Sequence, residues 1–171
     1  MRVGIALGSN LGNRLGNLRH AFRAVRRRLH EGSRETILVS SIYETTPVDS
    51  EPGTGLYLNA VIEIESALRP AGLLDRLRQV ESEMGRPSAR PRNAPRAIDL
   101  DVLYAGDLVL RSPKLTVPHP RLAQRGFVLI PLAEITPARV LPGQSKSVTE
   151  ILSELRSAEG ICKLREALDE D

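Results

Sequence analysis

The order in which the hydrophobic period changes along the chain is the feature that most constrains its fold. Apolar residues alternate with a period of two around residues 3–7, 36–43, 57–65 and 98–104, and helical spacing fills two of the intervals. A period of two indicates a strand with two distinct faces, and apolar residues at i, i+3, i+4 and i+7 indicate an amphipathic helix. The order is therefore β-α-β-β-α-β, which favours an antiparallel sheet with both helices on one face and the other face free.

Local signals support the two helices. Asn13 follows a glycine-rich turn and is a suitable N-cap for a helix with apolar residues at 15, 18, 22, 25 and 29. Pro70 is suited to the first position of the second helix, and Gly85 to the position after its end. Beyond Ala105 the pattern is weaker. We predict a short strand around Leu108–Leu110 and helices over Ser147–Leu155 and Ala158–Asp171.

Length and composition bound the class of protein. With 171 residues, 41% of them hydrophobic, the chain is expected to be a single α+β domain over 1–171, a ferredoxin-like sandwich with extra C-terminal elements and a tail at 155–171. No apolar run approaches the roughly 20 residues of a membrane span, and the start of the chain is typical of a first strand rather than a signal peptide. A single cysteine cannot form an internal disulfide, so we expect a cytoplasmic protein.

Charge gives little reason to expect a nucleic-acid partner. The net charge is +3 and only three of the basic residues are lysine. The run Arg26-Arg27-Arg28 lies within the first helix and is interpreted as a solvated face. We expect no nucleic acid, no membrane and a monomer. What matters is where arginines cluster, because guanidinium groups bind phosphate in a bidentate manner.

Asp99 and Asp101 are the strongest candidates for chemistry. They lie two apart in the apolar run 98–104, so a strand would project both from one side and Ile98, Leu100 and Val102 from the other. Two neighbouring carboxylates repel unless a cation lies between them, and hard oxygen ligands suit Mg²⁺ carrying a polyphosphate. The alternatives are a solvated strand face, or carboxylates that pair with the preceding arginines.

Three further segments could contribute to such a site. The stretch Arg86–Arg96 contains four arginines and three prolines and is interpreted as an exposed loop that could close over phosphates, or as ordinary surface. His119 lies between two prolines, which restrict its backbone, although a lone histidine is often structural. Gly8-Ser9-Asn10 is a turn that matches neither the Walker A nor the Rossmann pattern.

Taken together, these segments resemble the 6-hydroxymethyl-7,8-dihydropterin pyrophosphokinase family of folate synthesis. The similar segments occur in the family's order and cover roughly residues 3–155. They are Ala6-Leu7-Gly8-Ser9-Asn10, Thr46-Pro47, Tyr57-Leu58-Asn59-Ala60, Glu81 with Gly85-Arg86, Pro95-Arg96-Ala97-Ile98-Asp99-Leu100-Asp101, Leu115-Thr116-Val117-Pro118-His119-Pro120, and Arg125-Gly126-Phe127.

The resemblance implies transfer of the pyrophosphoryl group of ATP, as substrate, to the pterin hydroxymethyl oxygen, with release of AMP. By the family's pattern Asp99 and Asp101 would hold two Mg²⁺ ions and, with Arg86 and Arg96, form the catalytic set. The remaining roles it implies are ATP binding by Glu81, Arg86, Arg96, Val102, Lys114, Thr116, His119 and Arg125, and pterin binding by Thr46, Pro47, Tyr57, Asn59 and Phe127.

Three positions depart from the family's pattern. Asn93 stands where family members often carry a tryptophan, Ser88 replaces a frequent arginine, and Lys114 stands where arginine is common. Two alternatives to the enzyme are a ferredoxin-like module that binds RNA or an effector, and a family member that has lost activity or works fused to a partner. The aromatic content of 3% is low for a sheet that stacks RNA bases, and the retained aspartates argue against lost activity.

Overall fold

The computed structural model describes residues 1–29, 37–47, 55–85, 96–155 and 160–170. Within these ranges the helices are α1 (Arg14–Leu29), α2 (Pro70–Glu83), α3 (Gly126–Ile135) and α4 (Val148–Glu154), with a 3₁₀ turn at Leu122–Gln124. The strands are β1 (Arg2–Ser9), β2 (Leu38–Val39), β3 (Tyr43–Thr45), β4 (Tyr57–Glu65), β5 (Asp99–Ala105), β6 (Leu110–Arg111), β7 (Thr116–Val117) and β8 (Ile161–Lys163).

The main sheet is antiparallel in the order β5-β1-β4-β3-β8, and β2 also pairs with β4. With β2 and β3 counted as one strand, this is the order of a ferredoxin-like sheet, so the predicted fold class is confirmed. The single strand predicted over 36–43 is instead two short strands. The break occurs at Ser40, whose hydroxyl accepts a hydrogen bond from the Val61 amide at 2.9 Å and so replaces a backbone acceptor.

Helices α1 and α2 lie on one face of the sheet, as predicted. Asn13 caps α1, because its side-chain oxygen accepts a hydrogen bond from the Gly16 amide at 3.0 Å. Pro70 opens α2, and Gly85 follows its end with φ of +86°, a conformation that glycine adopts without strain. The buried faces of both helices pack on the sheet side formed by Val3, Ile5, Leu7, Ala60, Ile62, Ile64, Leu100 and Val102.

The other face is not free, and that expectation is wrong. Helices α3 and α4 and the 3₁₀ turn cover part of it and form a second core. Helix α3 was not predicted because Pro131 lies inside it. Pro131 is the sixth residue of the helix, so α3 lacks the hydrogen bond that an N–H at this position would donate to the Phe127 carbonyl.

A bulge in β5 places two adjacent side chains in this second core. The pairing of β1 with β5 shifts register between Gly4 and Ile5, so Leu103 and Tyr104 both contribute to the same apolar cluster although they are adjacent in sequence. The Tyr104 ring occupies the space that a Cβ on Gly4 would take. Its hydroxyl donates to Glu63 Oε2 at 2.6 Å, so the bulge ends in a buried, hydrogen-bonded side chain.

The C-terminal elements follow the predictions in part. Helix α4 confirms the prediction over Ser147–Leu155, and Ser147 forms a capping box with Glu150. The predicted helix over Ala158–Asp171 is wrong. Residues 156–159 and 171 lie outside the described residues, and the remainder contains β8, which pairs with β3. Strand β6 begins at Leu110, later than predicted. None of the described helices has the length and apolar character of a membrane-crossing segment.

Candidate functional site

Three strands bring the candidate residues to one end of the sheet. Gly8 at the end of β1 pairs with Asn59 of β4 on one side and with Asp99 of β5 on the other, and Asp101 pairs with Ala6. Helix α3 covers the opposite half of this face. Asn59, Asp99 and Asp101 therefore lie in a recess next to the N-terminus of α3.

Arg96 is held against the first aspartate. Its Nη1 lies 2.8 Å from Asp99 Oδ1. Its amide donates to Asn10 Oδ1 at 2.8 Å, and the Asn10 amide donates to the Arg96 carbonyl at 3.2 Å. The turn after β1 thus fixes the backbone of Arg96 and directs its guanidinium to the carboxylate. This ion pair bears out, for Asp99, the sequence-based alternative that an aspartate pairs with a preceding arginine.

Glu81 joins α2 to the strand that carries the aspartates. Its side chain is buried, and Oε1 accepts a hydrogen bond from the Leu100 amide at 2.9 Å. Leu100 lies between Asp99 and Asp101, so this contact fixes β5 at the point where both carboxylates project. Glu81 contributes to the site through its place in the wall as well as through this bond.

Two cavities meet at the aspartates. One of about 730 Å³ lies towards α2 and the β6–β7 hairpin, and one of about 510 Å³ lies towards β3, β4 and α3. Asp99, Asp101 and His119 line both. The wall of the first cavity includes Leu74, Arg78, Glu81, Val102, Lys114 and Thr116, and that of the second includes Thr45, Thr46, Tyr57, Asn59, Arg125 and Phe127.

His119 is a neutral hydrogen-bond donor at the junction. Burial, followed by the positive charges of Arg125 and Arg121, lowers the pKa of its imidazole to about 4, although Asp99 acts in the opposite direction. Its Nδ1 accepts a hydrogen bond from the Arg121 amide at 3.2 Å, so the proton of the neutral ring is on Nε2. The His119 amide donates to the Leu103 carbonyl at 2.8 Å, which ties the residue to the bulge of β5.

The second cavity combines a flat apolar surface with a fixed amide. Asn59 is buried and donates from Nδ2 to Thr45 Oγ1 at 2.8 Å, which sets the orientation of its side chain. Gly8 faces it, since a Cβ there would lie 3.1 Å from Asn59 Oδ1. Phe127 lies at the N-terminus of α3, with the guanidinium of Arg125 5.4 Å from its ring centroid.

Most residues predicted from the sequence lie in the walls of these cavities. Pro47 lines neither cavity, although it follows Thr46, which does. Arg86, Ser88 and Asn93 lie outside the described residues. Some wall residues of both cavities were not among the predicted site residues. They are Leu74, Arg78 and Ser82 in the first cavity, and Arg121 and Gln124 in the second. Arg78 and Leu74 precede Glu81 by three and seven residues, and Ser82 follows Arg78 by four, so helical spacing is a signal that could have found them.

The donor chemistry fits a magnesium ion brought by a phosphate substrate. Among the described residues no group of three or more His, Cys, Asp and Glu side chains is placed to hold a metal. Mg²⁺ is ordinarily bound by one or two carboxylates together with phosphate oxygens and waters, rather than by an all-protein cage. The pair Asp99 and Asp101 matches that requirement.

Two cavities that share a carboxylate pair at the open end of a ferredoxin-like sheet define an enzyme that brings two substrates together. The family model that matches residues 4–137 identifies which one. The chain belongs to the 7,8-dihydro-6-hydroxymethylpterin-pyrophosphokinase family.

Relatives named for this enzyme support the assignment. The chain is similar to a 2-amino-4-hydroxy-6-hydroxymethyldihydropteridine pyrophosphokinase of Bacillus subtilis, with 45% identity over 77% of this chain and 75% of the relative. A protein of the same name from Haemophilus influenzae is 37% identical over 88% of this chain and 90% of the relative. A mitochondrial folate synthesis bifunctional protein of Arabidopsis thaliana is 42% identical over 78% of this chain but only 23% of its own length.

Solved structures show the same fold at low identity. An HPPK-DHPS in complex with substrates superposes with a TM-score of 0.67 and 13% identity over 89% of this chain and 44% of that chain. The Plasmodium falciparum HPPK-DHPS with pteroate gives a TM-score of 0.69 and 13% identity over 90% of this chain and 42% of that one. The chain therefore spans less than half of these solved chains and matches them in fold.

Proposed function

We propose that this chain transfers the pyrophosphoryl group of ATP to 6-hydroxymethyl-7,8-dihydropterin, giving AMP and the pterin pyrophosphate for folate biosynthesis. The observation that carries the proposal is the junction of two differently lined cavities at Asp99, Asp101 and His119. A transferase needs both substrates to meet at one point, with the attacking oxygen held close to the phosphorus. Among the described residues, these three are the ones that line both cavities.

The linings support a substrate for each cavity. The larger cavity carries Lys114, Arg78 and Thr116 and suits ATP, with Glu81 and Val102 on its wall. The smaller one pairs an aromatic ring, Phe127, with the fixed amide of Asn59. A flat pterin requires both, since its faces stack on aromatic rings and its edge carries donors and acceptors. We assign Tyr57, Thr46 and Pro47 to the same pterin-binding set.

The reaction forms a bond from the hydroxymethyl oxygen to the β-phosphorus and breaks the bond from that phosphorus to the oxygen that leaves with AMP. In such transfers catalysis consists mostly of positioning and charge stabilisation. We assign Arg96 and Arg125 to the phosphates as cationic donors, and the Nε2–H of His119 as an uncharged one. Arg86 completes this set by the family's pattern.

We propose that Asp99 and Asp101 hold two Mg²⁺ ions that enter with ATP. When bound, the ions would neutralise the phosphate charge that develops during the transfer. The strand alternation that projects both carboxylates from one face supports this role, as does the Glu81 contact that fixes Leu100 between them. Arg96 Nη1 lies 2.8 Å from Asp99 Oδ1, so this carboxylate already has a cationic neighbour in the protein.

The assay follows the two products. With Mg²⁺, ATP and the hydroxymethyl-dihydropterin, AMP and pterin pyrophosphate should form one for one, and ADP should not accumulate. Asp101→Asn should lower kcat at least about 100-fold, because it removes a charge at the transferring group. Asp107→Asn, in the exposed turn after β5, is the matched control and should keep wild-type rates. Formation of ADP, or equal rates in the two variants, would contradict the proposal.

The RNA-binding alternative is not favoured by the geometry. Base stacking on a ferredoxin-like sheet needs an open face with aromatic side chains on the central strands. Here α3 and α4 cover part of that face. Tyr57 of β4 lines a cavity instead of an open surface, and Phe127, which lines the same cavity, belongs to α3 and not to the sheet.

We further propose that the chain acts as a monomer in the cytoplasm, on ATP and the pterin, without nucleic acid or membrane. One chain lines both cavities, which supports a monomer. The exposed free thiol of Cys162 is suited to a reducing compartment.

A further inference from the structure

We propose that β8, near the C-terminus, supports the wall of the second cavity. Through Gly160 this strand sets the affinity of the cavity for the pterin. This inference rests on the proposed function, which puts the pterin in that cavity. The family match ends at residue 137, so it assigns nothing to this strand. Gly160 acts here as a positioning residue: it does not line the cavity, and it touches a residue that does.

Backbone pairing joins β8 to the cavity wall. Ile161 pairs with Thr45, and the Thr46 amide donates to the Gly160 carbonyl at 3.2 Å. Thr45 and Thr46 both line the cavity. The position of this wall therefore depends on the strand outside it.

The same contacts reach the amide that would recognise the pterin edge. Thr45 is buried, and its hydroxyl oxygen accepts from Asn59 Nδ2 at 2.8 Å. A shift of the Thr45 backbone would rotate or release the Asn59 side chain. Buried polar groups oriented in this way discriminate between ligands, because an unpaired buried group is costly.

The fit between Gly160 and Thr46 leaves no room for a side chain. Gly160 has φ of +70°, and a Cβ there would lie 2.7 Å from Thr46 Oγ1 and 3.1 Å from its Cγ2. Both neighbours belong to a β-branched side chain with restricted rotamers, which yields less easily than a long flexible one. Any larger residue at position 160 must therefore rotate or displace Thr46, which lines the cavity, or move β8 away.

Further contacts anchor β8 independently of any ligand. Lys163 Nζ lies 2.9 Å from Glu134 Oε1 of α3, and the Leu164 amide donates to the Ile42 carbonyl at 2.8 Å. Leu168 is buried in the core under α1, and Arg19 donates to the Ala167 carbonyl at 3.0 Å. The strand is therefore a fixed support, against which Thr46 is held.

The test compares two glycines with the same backbone conformation. Gly160→Ala introduces both backbone strain and the contact with Thr46. Gly143→Ala is the matched control, because Gly143 has φ of +77°, nothing lies within 4 Å of its Cβ position, and it lines neither cavity. We expect Gly160→Ala to raise the Kd for 6-hydroxymethylpterin about tenfold, the equivalent of one or two lost hydrogen bonds, with the Kd for a non-hydrolysable ATP analogue unchanged. Gly143→Ala should leave both values at wild type.

A measurement on the unaltered protein covers the case in which Gly160→Ala fails to fold or weakens both ligands. 6-Hydroxymethylpterin should slow amide hydrogen exchange over residues 160–164, whereas the ATP analogue alone should not. The role of β8 is overturned if Gly160→Ala binds the pterin with wild-type affinity. It is also overturned if the pterin does not change the rate of amide hydrogen exchange at residues 160–164. If the wild-type protein does not bind the pterin at all, the proposed function fails instead, so the two failures are distinguishable.

Discussion

His119 shows how one residue can supply a hydrogen-bond donor without supplying a charge. The Arg121 amide occupies Nδ1, which leaves the proton on Nε2. Arg125 and Arg121 already provide positive charge nearby, so they would repel a protonated His119 ring. A neutral donor at the junction of the cavities avoids that repulsion and still offers a hydrogen bond to a phosphate oxygen.

The pH behaviour of His119 follows from its surroundings. We expect its ring to stay neutral from pH 7 to about pH 5, since burial and the two arginines hold its pKa near 4. Between 6.5 and 4 the unfolded chain would bind a proton that the folded chain does not, so this residue's contribution to stability falls as pH falls. Imidazole ¹⁵N shifts measured against pH check this.

Arg125→Gln is the informative variant for that titration. It removes the larger of the two cationic influences, so the pKa of His119 should rise, while burial keeps it below 6.5. A ring that titrates near 6.5 in the wild-type protein would contradict the argument. So would a titration that Arg125→Gln does not shift.

For individual residues, the sequence predicts much of the candidate site. Alternation alone places Asp99 and Asp101 on one face, and the family resemblance adds Asn59 and Phe127. The contact between Glu81 and the Leu100 amide could not be anticipated, because it joins a helix to a strand 19 residues further along the chain. The role of Asn10 in holding Arg96 depends on a turn that meets β5 only in the folded sheet.

Among the elements, the bulged strand β5 connects the site to the second core. Below the bulge Asp99 and Asp101 face the cavities; at the bulge Leu103 holds the His119 amide and Tyr104 enters the core. The Tyr104 hydroxyl donates to Glu63, and Arg139 lies with its guanidinium carbon 4.1 Å from the ring centroid and its Nη1 3.4 Å from the same carboxylate. This buried group closes the end of the strand opposite the site.

Tyr104→Phe tests the worth of that buried hydrogen bond. It deletes the donor 2.6 Å from Glu63 and leaves the carboxylate buried with one partner fewer. We expect the free energy of unfolding to fall by about 1.5–3 kcal/mol, the range for hydrogen bonds to charged groups. Tyr43→Phe is the matched control: its hydroxyl donates to Glu134 at 3.0 Å in a more accessible position, so its loss should be smaller. Urea unfolding of both variants measures the difference, and equal losses would refute the effect of burial.

The elements predicted wrongly share one cause, namely that tertiary contacts outweigh local pattern. The sequence favours a helix that includes residues 161–163, yet these residues form a strand that pairs with the edge of β3. Helix α3 was obscured by Pro131, and the split between β2 and β3 by a serine hydroxyl that substitutes for a backbone acceptor. Elements with a cap, a proline start or a glycine end, such as α1 and α2, were predicted well because those signals are local.

Across the whole molecule, the free half of the sheet face is a consequence of where α3 begins. The helix starts at Gly126, and the half of the sheet it leaves uncovered becomes the floor on which both cavities meet. The sequence predicted a sheet face without α1 and α2 but not that α3 and α4 would cover part of it. How much of the sheet these helices bury depends on tertiary packing, which the local sequence pattern does not show. Partial cover gives the second cavity part of its wall, through Gln124, Phe127 and Val128.

This arrangement predicts that nucleotide and magnesium together stabilise the fold much more than either does alone. Without the cation, the polyphosphate would face the negative charges of Asp99 and Asp101; without the nucleotide, the described residues offer the cation no third ligand of the His, Cys, Asp or Glu type. A non-hydrolysable ATP analogue with Mg²⁺, at about 100 times its Kd, should therefore add about 2.7 kcal/mol to the free energy of unfolding and raise Tm accordingly. The analogue in EDTA, or Mg²⁺ alone, should add much less. Asp101→Asn should lose the difference between the analogue with Mg²⁺ and the analogue in EDTA, and Asp107→Asn should keep it. A full shift with either component alone would show that the aspartates and the cation do not act as one site.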